Sequence, residues 1–472
     1  MPARYALAVH WFRRDLRLID NSALHAASRQ SLAVLPVYFI SGWEGSHCWT
    51  GPGRQKFLCE SLASLAENLK TLEGRLVFRR VAADEGIRAL ILESGADAVF
   101  FNRDVDLFGQ AMERRVAAVC AELGVACIGY DDVVLHEPSE VLTQKGEPYR
   151  VFTPYGRAWL QREKRLPLGK PSKFNTPPGI ASQPAPSMAT WGLASSGVAY
   201  VAAGERAARQ RLKEAMSACI PNYQERRDQV SEAGTSRLSQ DLRFGTISIR
   251  SVFAAAAEVL AGGGAPAQSA LVFQKELAWR EFYMQILAHF PDVLELEFNA
   301  EFRGLPWDEP GEAFEAWKSG RTGFPIIDAA MRQMLATGFM HNRARMITAM
   351  FLTKDLHMDW RLGESFFMRH LIDGEIASNN GGWQWSAGTG ADAAPYFRIQ
   401  NPWLQTARFD PHGHYIRRWI PELAGVAEAK KFTSPPENGR PLAADYPLPV
   451  VNHQQERDRT LAIFKRHREK SR

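Results

Sequence analysis

Carboxylate, amide and indole side chains are concentrated in one short stretch of the C-terminal half. Between Asp373 and Trp385, two acids, two adjacent amides, a pair of glycines and two tryptophans fall within thirteen residues. Acids and amides can hold the polar atoms of a ligand, and tryptophans can stack on flat rings. Gly381 and Gly382 predict a tight turn or a close approach of the backbone to a ligand. Composition alone leaves two interpretations, a ligand site or the polar end of a helix.

A second segment has the composition of a phosphate site. GTSRLS, at residues 234–239, offers hydroxyls, an arginine and backbone N–H groups at a predicted helix start. Helix caps of the same composition are far commoner than phosphate sites, so this segment is ambiguous by itself. The five cysteines form no CxxC pair, which argues against a disulfide framework or a zinc site.

Strand and helix patterns alternate in the N-terminal part of the chain. Apolar runs predict strands, and amphipathic runs between them predict helices. The strands are predicted at 6–12, 32–39, 76–81, 98–104 and 126–132, and the helices at 53–72, 84–94 and 108–123. Such alternation is typical of a doubly wound, Rossmann-like parallel sheet. No GxGxxG follows the first strand, where Arg13, Arg14 and Arg17 stand instead, which argues against a dinucleotide dehydrogenase.

The pattern changes after this region. A Pro-, Ser- and Gly-rich segment predicts an extended connection, and from about residue 205 helical spacing replaces the strand patterns. We therefore predict an α/β domain at 1–132, an interdomain linker at 133–204 and an all-α domain at 205–472.

Bulk properties restrict the class of protein. A chain of 472 residues with 45% hydrophobic and 23% charged residues is typical of a globular protein with two domains. The net charge of +5 permits a basic face for nucleic acid without requiring one. No run of ~18 apolar residues predicts a membrane span, and the N-terminal apolar run is too short for a signal peptide. We expect a cytoplasmic protein.

Four blocks of sequence resemble one known family. They are WFRRDLRLIDN at 11–21, ELAWREFY at 276–283, HNRARMITAMFLTKDLHMDWRLGE at 341–364 and LIDGEIASNNGGWQWSAGTGADAAPYFRIQNP at 371–402. The last resembles the flavin-binding signature of the photolyase/cryptochrome family, specifically its bacterial class I cyclobutane pyrimidine dimer photolyases. The resemblance implies an antenna-binding α/β domain and a helical FAD-binding domain. It also implies light-dependent DNA repair, in which excited, reduced FAD passes an electron to a flipped-out pyrimidine dimer, the ring opens and the electron returns.

The resemblance also implies the residues that bind FAD. They are Tyr223, Thr235, Ser236, Arg237, Leu238, Ser239, Arg280, Asn342, Arg345, Asp373, Glu375 and Asn379. Arg345 and Asp373 could pair beside the isoalloxazine ring, or form an ordinary structural salt bridge. Asn379 matches the residue that faces flavin N5. A neutral amide can bind N5 without readily donating a proton, which favours repair over signalling.

Further roles follow from the same resemblance. Trp307, Trp360 and Trp383 match a chain of tryptophans that carries electrons to photoexcited oxidised flavin, although single tryptophans are usually core residues. The implied lesion-binding residues are Arg227, Glu276, Trp279, Arg343, Met346, Trp385, Arg398 and Gln405. Glu276 would hydrogen-bond the dimer and stabilise its radical anion. Met346, and the absence of a second histidine after His341, favour cyclobutane dimers over (6-4) photoproducts.

The antenna chromophore is least defined. Folate-type relatives carry Asn-Glu and Cys-Lys pairs where this sequence has Phe108-Gly109 and Leu294-Glu295. A deazaflavin-type chromophore is therefore favoured over folate, with Asp104, Asp106 and Arg243 as candidate contacts. No chromophore, or another flavin, remains an alternative.

Two other interpretations stay open. A cryptochrome-type blue-light photoreceptor would share the flavin fold, but only residues 450–472 follow Pro449, where many cryptochromes carry a long tail. A nucleotide-binding α/β enzyme with a helical lid would not explain the Trp-rich blocks. We expect damaged DNA as the partner, no obligate protein partner, a monomer, and association with the bacterial nucleoid when bound to DNA.

Overall fold

The computed structural model describes residues 3–45, 47–171, 175–194 and 200–470. The chain forms two compact units. The sheet unit comprises Met1–Tyr149, Thr153–Pro221 and Ser236–His289, and the helical unit comprises Arg150–Phe152, Asn222–Thr235 and Phe290–Arg472. Residues 172–174 and 195–199 of the predicted linker lie outside the described residues.

A five-stranded parallel sheet is the centre of the sheet unit. Its strands are β1 (Tyr5–Phe12), β2 (Ser31–Phe39), β3 (Val77–Arg79), β4 (Ala98–Asn102) and β5 (Ala126–Tyr130), in the order β3-β2-β1-β4-β5. The central strand β1 is buried at every position except Ala6, as expected for a sheet covered on both faces. The predicted parallel α/β sheet is confirmed, although β3 is shorter than the predicted strand at 76–81.

Helices cover the sheet and continue beyond it. The α-helices before residue 290 are α1 (Ser22–Gln30), α2 (Pro52–Lys70), α3 (Ala83–Ser94), α4 (Leu107–Glu122), α5 (Phe152–Gln161), α6 (Glu205–Glu214), α7 (Tyr223–Arg226), α8 (Ser239–Phe244), α9 (Ile249–Ala261) and α10 (Gly264–His289). The sequence predicted α2, α3 and α4 but not α1, which is short and begins at the capping side chain of Asn21.

Buried ion pairs join distant parts of the sheet unit. Arg250 of α9 donates from Nε to Asp20 at 2.9 Å and from Nη2 to Asp132 at 2.6 Å. Arg17 also donates to Asp132, and all four side chains are at most 3% exposed. Because a buried charge without its partner is costly, these contacts fix α9 against the loops that follow β1 and β5.

Within its described residues, the helical unit contains no β-strand. Its later helices are α11 (Glu312–Ser319), α12 (Pro325–Thr337), α13 (Asn342–Met350), α14 (Trp360–His370), α15 (Ile376–Ala387), α16 (Pro402–Phe409), α17 (His414–Trp419) and α18 (His453–Lys470). A π-helical turn at Phe351–Asp355 follows α13. The predicted helical fold is confirmed, but the tight turn at Gly381 and Gly382 is wrong, because both glycines lie inside α15. In the described part of the chain, no helix is long and apolar enough to cross a membrane.

Candidate functional site

An ion pair joins two of the predicted flavin-binding residues in the helical unit. Arg345 on α13 donates from Nη2 to Asp373 Oδ2 at 2.8 Å, and its Nε donates to the Met340 carbonyl at 2.8 Å. The Asp373 side chain is 5% exposed and the Arg345 side chain 26% exposed. The predicted pair is therefore present, with part of the guanidinium still accessible. Its position beside an isoalloxazine ring stays a prediction.

The start of α15 brings the amides and acids of the first stretch together. Glu375 caps this helix, because its carboxylate accepts a hydrogen bond from Ser378 N at 2.9 Å. One turn later, Asn379 donates from its side chain to the Glu364 carbonyl at 3.1 Å. Asn379 remains half-buried, so its amide oxygen can accept a further hydrogen bond.

Glu364 on α14 is a residue of this region that the sequence analysis missed. Its carboxylate accepts from the Asn380 side chain at 3.1 Å, and burial raises the pKa of Glu364 to about 7. A carboxyl group that titrates near neutral pH beside Asn379 can hold or release a proton at this end of α15. The sequence signal was weak. Glu364 is the last residue of the family-like block at 341–364, but it lies four residues after Trp360, the nearest predicted site residue.

The remaining flavin residues of the helical unit occupy different local positions. Tyr223 is 8% exposed and lies under the guanidinium of Arg227, 5.7 Å from its ring centre. Asn342 is exposed at the start of α13, where the Nδ1 of His341 accepts a hydrogen bond from Arg343 N at 3.1 Å. His341 is therefore the N-terminal capping residue of α13. Thr235 is half-buried just before the boundary of the unit.

The three predicted electron-transfer tryptophans contact one hydrophobic cluster. Trp360 and Trp383 are core members, 0% and 2% exposed, and Trp307 packs against the cluster from its half-buried position. The backbone of α14 approaches Trp383 closely, because a Cβ on Gly363 would lie 2.0 Å from the indole. Trp317 is a fourth tryptophan here, with its ring centre 6.1 Å from that of Trp383.

The lesion-binding candidates of the helical unit lie at the end of α7, on α13, α15 and α16, and in the loop before α16. Arg343 pairs with Asp228 at 2.8 Å, and its guanidinium lies 4.7 Å from the Phe409 ring centre. The Met346 sulfur is 3.7 Å from Arg343 Nη1. Trp385 and Gln405 are half-buried, whereas Arg398 is exposed.

The sheet unit holds the other predicted flavin and lesion residues. Glu276, Trp279 and Arg280 share one face of α10 at spacings of three and four residues, and all are half-buried. Arg280 donates to the Val133 carbonyl at 2.9 Å. The neighbouring Glu281 was not predicted. It is 1% exposed and accepts hydrogen bonds from Leu135 N and Trp159 Nε1, which fixes α10 to the segment after β5.

The predicted phosphate segment ends at a very short helix. Arg237 adopts a left-handed conformation with φ of 55°, Leu238 is 2% exposed, and α8 begins at Ser239. Ser236 and Arg237 are half-buried and Ser239 is exposed. Their contact with a phosphate stays a prediction.

The antenna candidates form a charged group at the end of β4. Arg14 Nη1 lies 2.9 Å from Asp104 Oδ1 and 3.6 Å from Asp106 Oδ2. Burial raises the pKa of Asp104, but the charges of Arg14, Arg13 and Arg243 outweigh it and lower that pKa overall. Burial and the negative charge of Asp104 raise the pKa of Asp106, which also caps α4. Within the described residues, no group of side chains could hold a metal ion.

Comparison with known proteins gives consistent matches. Residues 8–177 match the family model for DNA photolyase, and residues 273–466 match that for the FAD binding domain of DNA photolyase. The chain is 37% identical over 466 residues to the deoxyribodipyrimidine photo-lyase of Synechococcus sp., covering 96% of this chain and 95% of the relative.

Solved structures agree. A bacterial class III photolyase from Agrobacterium tumefaciens is similar with a TM-score of 0.91 at 36% identity, over 99% of both chains. A cryptochrome of Synechocystis sp. is similar with a TM-score of 0.88 at 28% identity, over 98% of this chain and 100% of that one.

Proposed function

Because the chain belongs to the DNA photolyase family, we propose that it repairs cyclobutane pyrimidine dimers in DNA by a light-dependent reaction with FAD. The observation that carries this proposal is the nearly full-length match to a deoxyribodipyrimidine photo-lyase. The enzyme class is that of a carbon–carbon lyase acting on DNA. Membership of class I rests on the sequence resemblance and is a proposal, since one of the similar solved structures is a class III photolyase.

The residues present fit FAD as the cofactor. The α15 segment combines a half-buried amide at Asn379 with Gly382, where an added Cβ would meet no protein atom within 4 Å. The guanidinium of Arg345 is partly accessible and would supply a fixed positive charge beside the electron-rich ring. When bound and reduced, FAD supplies, on absorbing blue or near-ultraviolet light, the electron that opens the cyclobutane ring and takes it back.

The chain's own residues bind and orient the reactants. Arg345, held by Asp373, would balance negative charge on the cofactor. Asn379 would accept or donate a hydrogen bond at the flavin edge without giving up a proton, since an amide does not ionise. The other flavin residues proposed from the family pattern are Tyr223, Thr235, Ser236, Arg237, Leu238, Ser239, Arg280, Asn342 and Glu375. Glu375 would act through the α15 cap that positions Asn379.

Lesion recognition needs bases turned out of the duplex. Dimerised bases inside a helix cannot be reached by protein groups, and damaged bases cost less to unstack. Trp279 and Trp385 would stack on the flipped dimer. Arg227, Arg343, Arg398 and Gln405 would hold the strand, and Met346 would contact the lesion.

Glu276 has the most specific proposed role in repair. Its carboxyl group would hydrogen-bond the pyrimidine edge and stabilise charge that develops on the dimer. We expect Glu276→Ala to lower the repair yield severalfold, with flavin content unchanged. The control is Glu60→Ala, which removes an exposed carboxylate from α2 of the same unit. An unchanged repair yield per absorbed photon in Glu276→Ala would remove this residue from the mechanism.

A blue-light photoreceptor is the second candidate, because a cryptochrome is among the similar structures. The deciding experiment uses purified, chemically reduced protein and oligonucleotides that contain either a thymine cyclobutane dimer or a (6-4) photoproduct. Repair of the cyclobutane dimer alone, under blue light and not in the dark, is the expected result. Failure of repair by protein with bound, fully reduced FAD would favour the photoreceptor.

Further parts of the proposal concern the antenna and the assembly. Arg14 and Arg243 beside Asp104 and Asp106 supply charged groups for a deazaflavin-type chromophore. Extraction of the purified holoenzyme and identification of its chromophores tests this point, and a folate would contradict it.

We also propose a monomer in the bacterial cytoplasm, nucleoid-associated when bound to DNA, with no obligate protein partner. Light scattering of the purified protein tests the monomer.

A further inference from the structure

A large cleft opens within the sheet unit, apart from every residue assigned so far. Its volume is about 1170 Å³, and it is lined by the loop after β1, the end of α2, α6 with the turn that follows it, and α9. Pro167, Lys170 and residues 246–248, which precede α9, also contribute to its walls. None of the proposed flavin, lesion or antenna residues lines the cleft. Small-molecule sites typically measure roughly 300–1,000 Å³, so the cleft has room for a ligand of nucleotide size.

One wall of the cleft is positively charged. Arg206, Arg209 and Lys213 lie at spacings of three and four residues along α6, which places them on one helical face. All three are exposed, and in the described part of the chain none of them forms an ion pair. Lys170 adds a fourth cation, and its Nζ donates to Thr71 at 3.0 Å. Glu258 is the one exposed acid among the described lining residues.

The other two charged lining residues are already satisfied. Glu205 is 6% exposed, and its carboxylate accepts hydrogen bonds from Leu18 N and Ile19 N, both at 2.9 Å. The guanidinium of Arg17 donates to the Gly245 carbonyl at 3.1 Å and pairs with Asp132. The charges that a ligand in the cleft would meet are therefore the positive charges of the α6 face and Lys170, with Glu258 on α9 as the one opposing carboxylate among the described lining residues.

An apolar surface lies next to this charge. Several half-buried apolar side chains line the cleft, namely Ile19, Leu212, Met216, Ala254, Ala255 and Val259. Such a surface can cover a base and a sugar but offers nothing to a bare phosphate or to a sugar–phosphate strand. The combination indicates a ligand that is apolar at one end and polyanionic at the other.

We propose that this cleft binds a nucleoside diphosphate. The base would lie on the apolar surface of α9, and the diphosphate would contact Arg206, Arg209 and Lys213. Guanidinium groups bind phosphate through two parallel hydrogen bonds, which suits the two arginines. This site is additional to the light-driven reaction and does not depend on it.

Titration calorimetry of the full-length, FAD-loaded protein with ADP tests the site. We expect one ADP per chain beyond the bound flavin, and much weaker binding of adenosine and of pyrophosphate. Arg209→Glu should weaken ADP binding about tenfold or more, because it removes a charge-assisted hydrogen bond and adds repulsion. Ala255→Phe should have a similar effect by filling the apolar wall.

Arg114→Glu is the matched control. It makes the same change of charge at an exposed position of α4 in the same unit, and its ADP affinity should equal that of the parent. Unchanged flavin absorbance and thermal midpoints would show that the variants are folded. No ADP binding by the parent, pyrophosphate binding as tight as that of ADP, or equal losses in Arg209→Glu and Arg114→Glu would each overturn the proposal.

Discussion

At the scale of single residues, Trp383 allows photoreduction of oxidised flavin to be tested separately from repair by reduced flavin. Trp383 is buried in the same cluster as Trp360, and its indole touches the backbone of α14 at Gly363. If electrons reach oxidised flavin through this indole, Trp383→Phe should nearly abolish photoreduction, because phenylalanine is much harder to oxidise. Repair by chemically prereduced protein should be unchanged. The measurement is the rate of flavin bleaching under blue light, followed by a repair assay.

Trp317→Phe is the matched control for this variant. Trp317 is also fully buried, and its ring centre is 6.1 Å from that of Trp383, but it lies outside the family's tryptophan pattern. Its replacement should lower stability by about 1–3 kcal/mol through the cavity it leaves, with photoreduction retained. Parental photoreduction in Trp383→Phe, or its loss in Trp317→Phe, would mean that the chain of tryptophans is wrongly assigned.

The burial of Lys354 predicts that the stability of the protein depends on pH. Its ammonium group is buried, donates to the Ala387 carbonyl at 2.5 Å, and lies 3.9 Å from the Phe464 ring centre. Burial lowers the pKa of Lys354 from 10.5 to about 7. Between these two values the unfolded chain binds more protons than the folded chain, so stability should rise with pH from about 7 to about 10.

Lys354→Met removes this titration. The variant should exceed the parent in stability by roughly 2–4 kcal/mol near neutral pH, and the difference should shrink towards alkaline pH. Thermal midpoints of the two proteins across this pH range provide the measurement. Lys431→Met, at an exposed position, should follow the parent at every pH. A constant difference between Lys354→Met and the parent would show that the buried lysine does not titrate in this range.

Sequence reasoning at the residue scale succeeded where a motif or a local rule specifies the contact. The Arg345–Asp373 pair was foreseen in this way. Glu364 and Glu281 were not foreseen, because each is important through burial against another element, α15 for Glu364 and the segment after β5 for Glu281. Burial of an acid depends on long-range packing, and neither its pKa nor its partners follow from neighbouring residues.

At the scale of elements, the contact between α14 and α15 depends on a glycine. A Cβ on Gly363 would lie 2.0 Å from the Trp383 ring, so Gly363→Ala must displace the indole or separate the helices. We expect a loss of stability of about 1–3 kcal/mol from overpacking, together with slower photoreduction. Gly382→Ala is the control for stability, since its methyl group meets no protein atom within 4 Å and alanine favours helix. A Gly363→Ala protein as stable as the parent would contradict this packing.

The same helix shows why one element was wrongly predicted. Two adjacent glycines favour a turn, and each costs about 1 kcal/mol inside a helix. In α15 that cost is offset by the Glu375 cap and by burial of Trp383 and Gln384, which the local pattern did not weigh. The strands, in contrast, followed directly from continuous apolar runs, because a covered parallel sheet needs buried residues on both faces.

At the scale of the whole molecule, the domains predicted from the sequence pattern and the two compact units of the structure divide the chain at different residues. The sequence changes character near residue 205, where strand patterns end, and the predicted domain boundaries follow that change. The helices of Ser236–His289 nevertheless cluster with the sheet. Arg250 shows the physical reason, since its partners Asp20 and Asp132 precede it by more than a hundred residues. Ion pairs between residues so far apart leave no signal in the local sequence pattern. The predicted domain boundaries stay a prediction.

The net charge of +5 permits a basic face without requiring one, so the proposed binding to DNA should depend on a few local cations. Arg398 is exposed, whereas Arg343 is already paired with Asp228 at 2.8 Å. Each phosphate contact contributes about one to the slope of log affinity against log salt concentration. Arg398→Gln should therefore reduce the slope by about one for an undamaged duplex, and Arg343→Gln should reduce it less.

Fluorescence anisotropy over a series of salt concentrations measures these slopes. Arg114→Gln changes the net charge by the same amount at an exposed position of α4, and its slope should equal that of the parent. Equal reductions in Arg114→Gln and Arg398→Gln would mean that the total charge governs DNA binding. A larger effect of Arg343→Gln than of Arg398→Gln would mean that Arg343 leaves Asp228 when DNA binds. Asp228→Asn should then raise the affinity, because the guanidinium would no longer have to break an ion pair before it contacts phosphate.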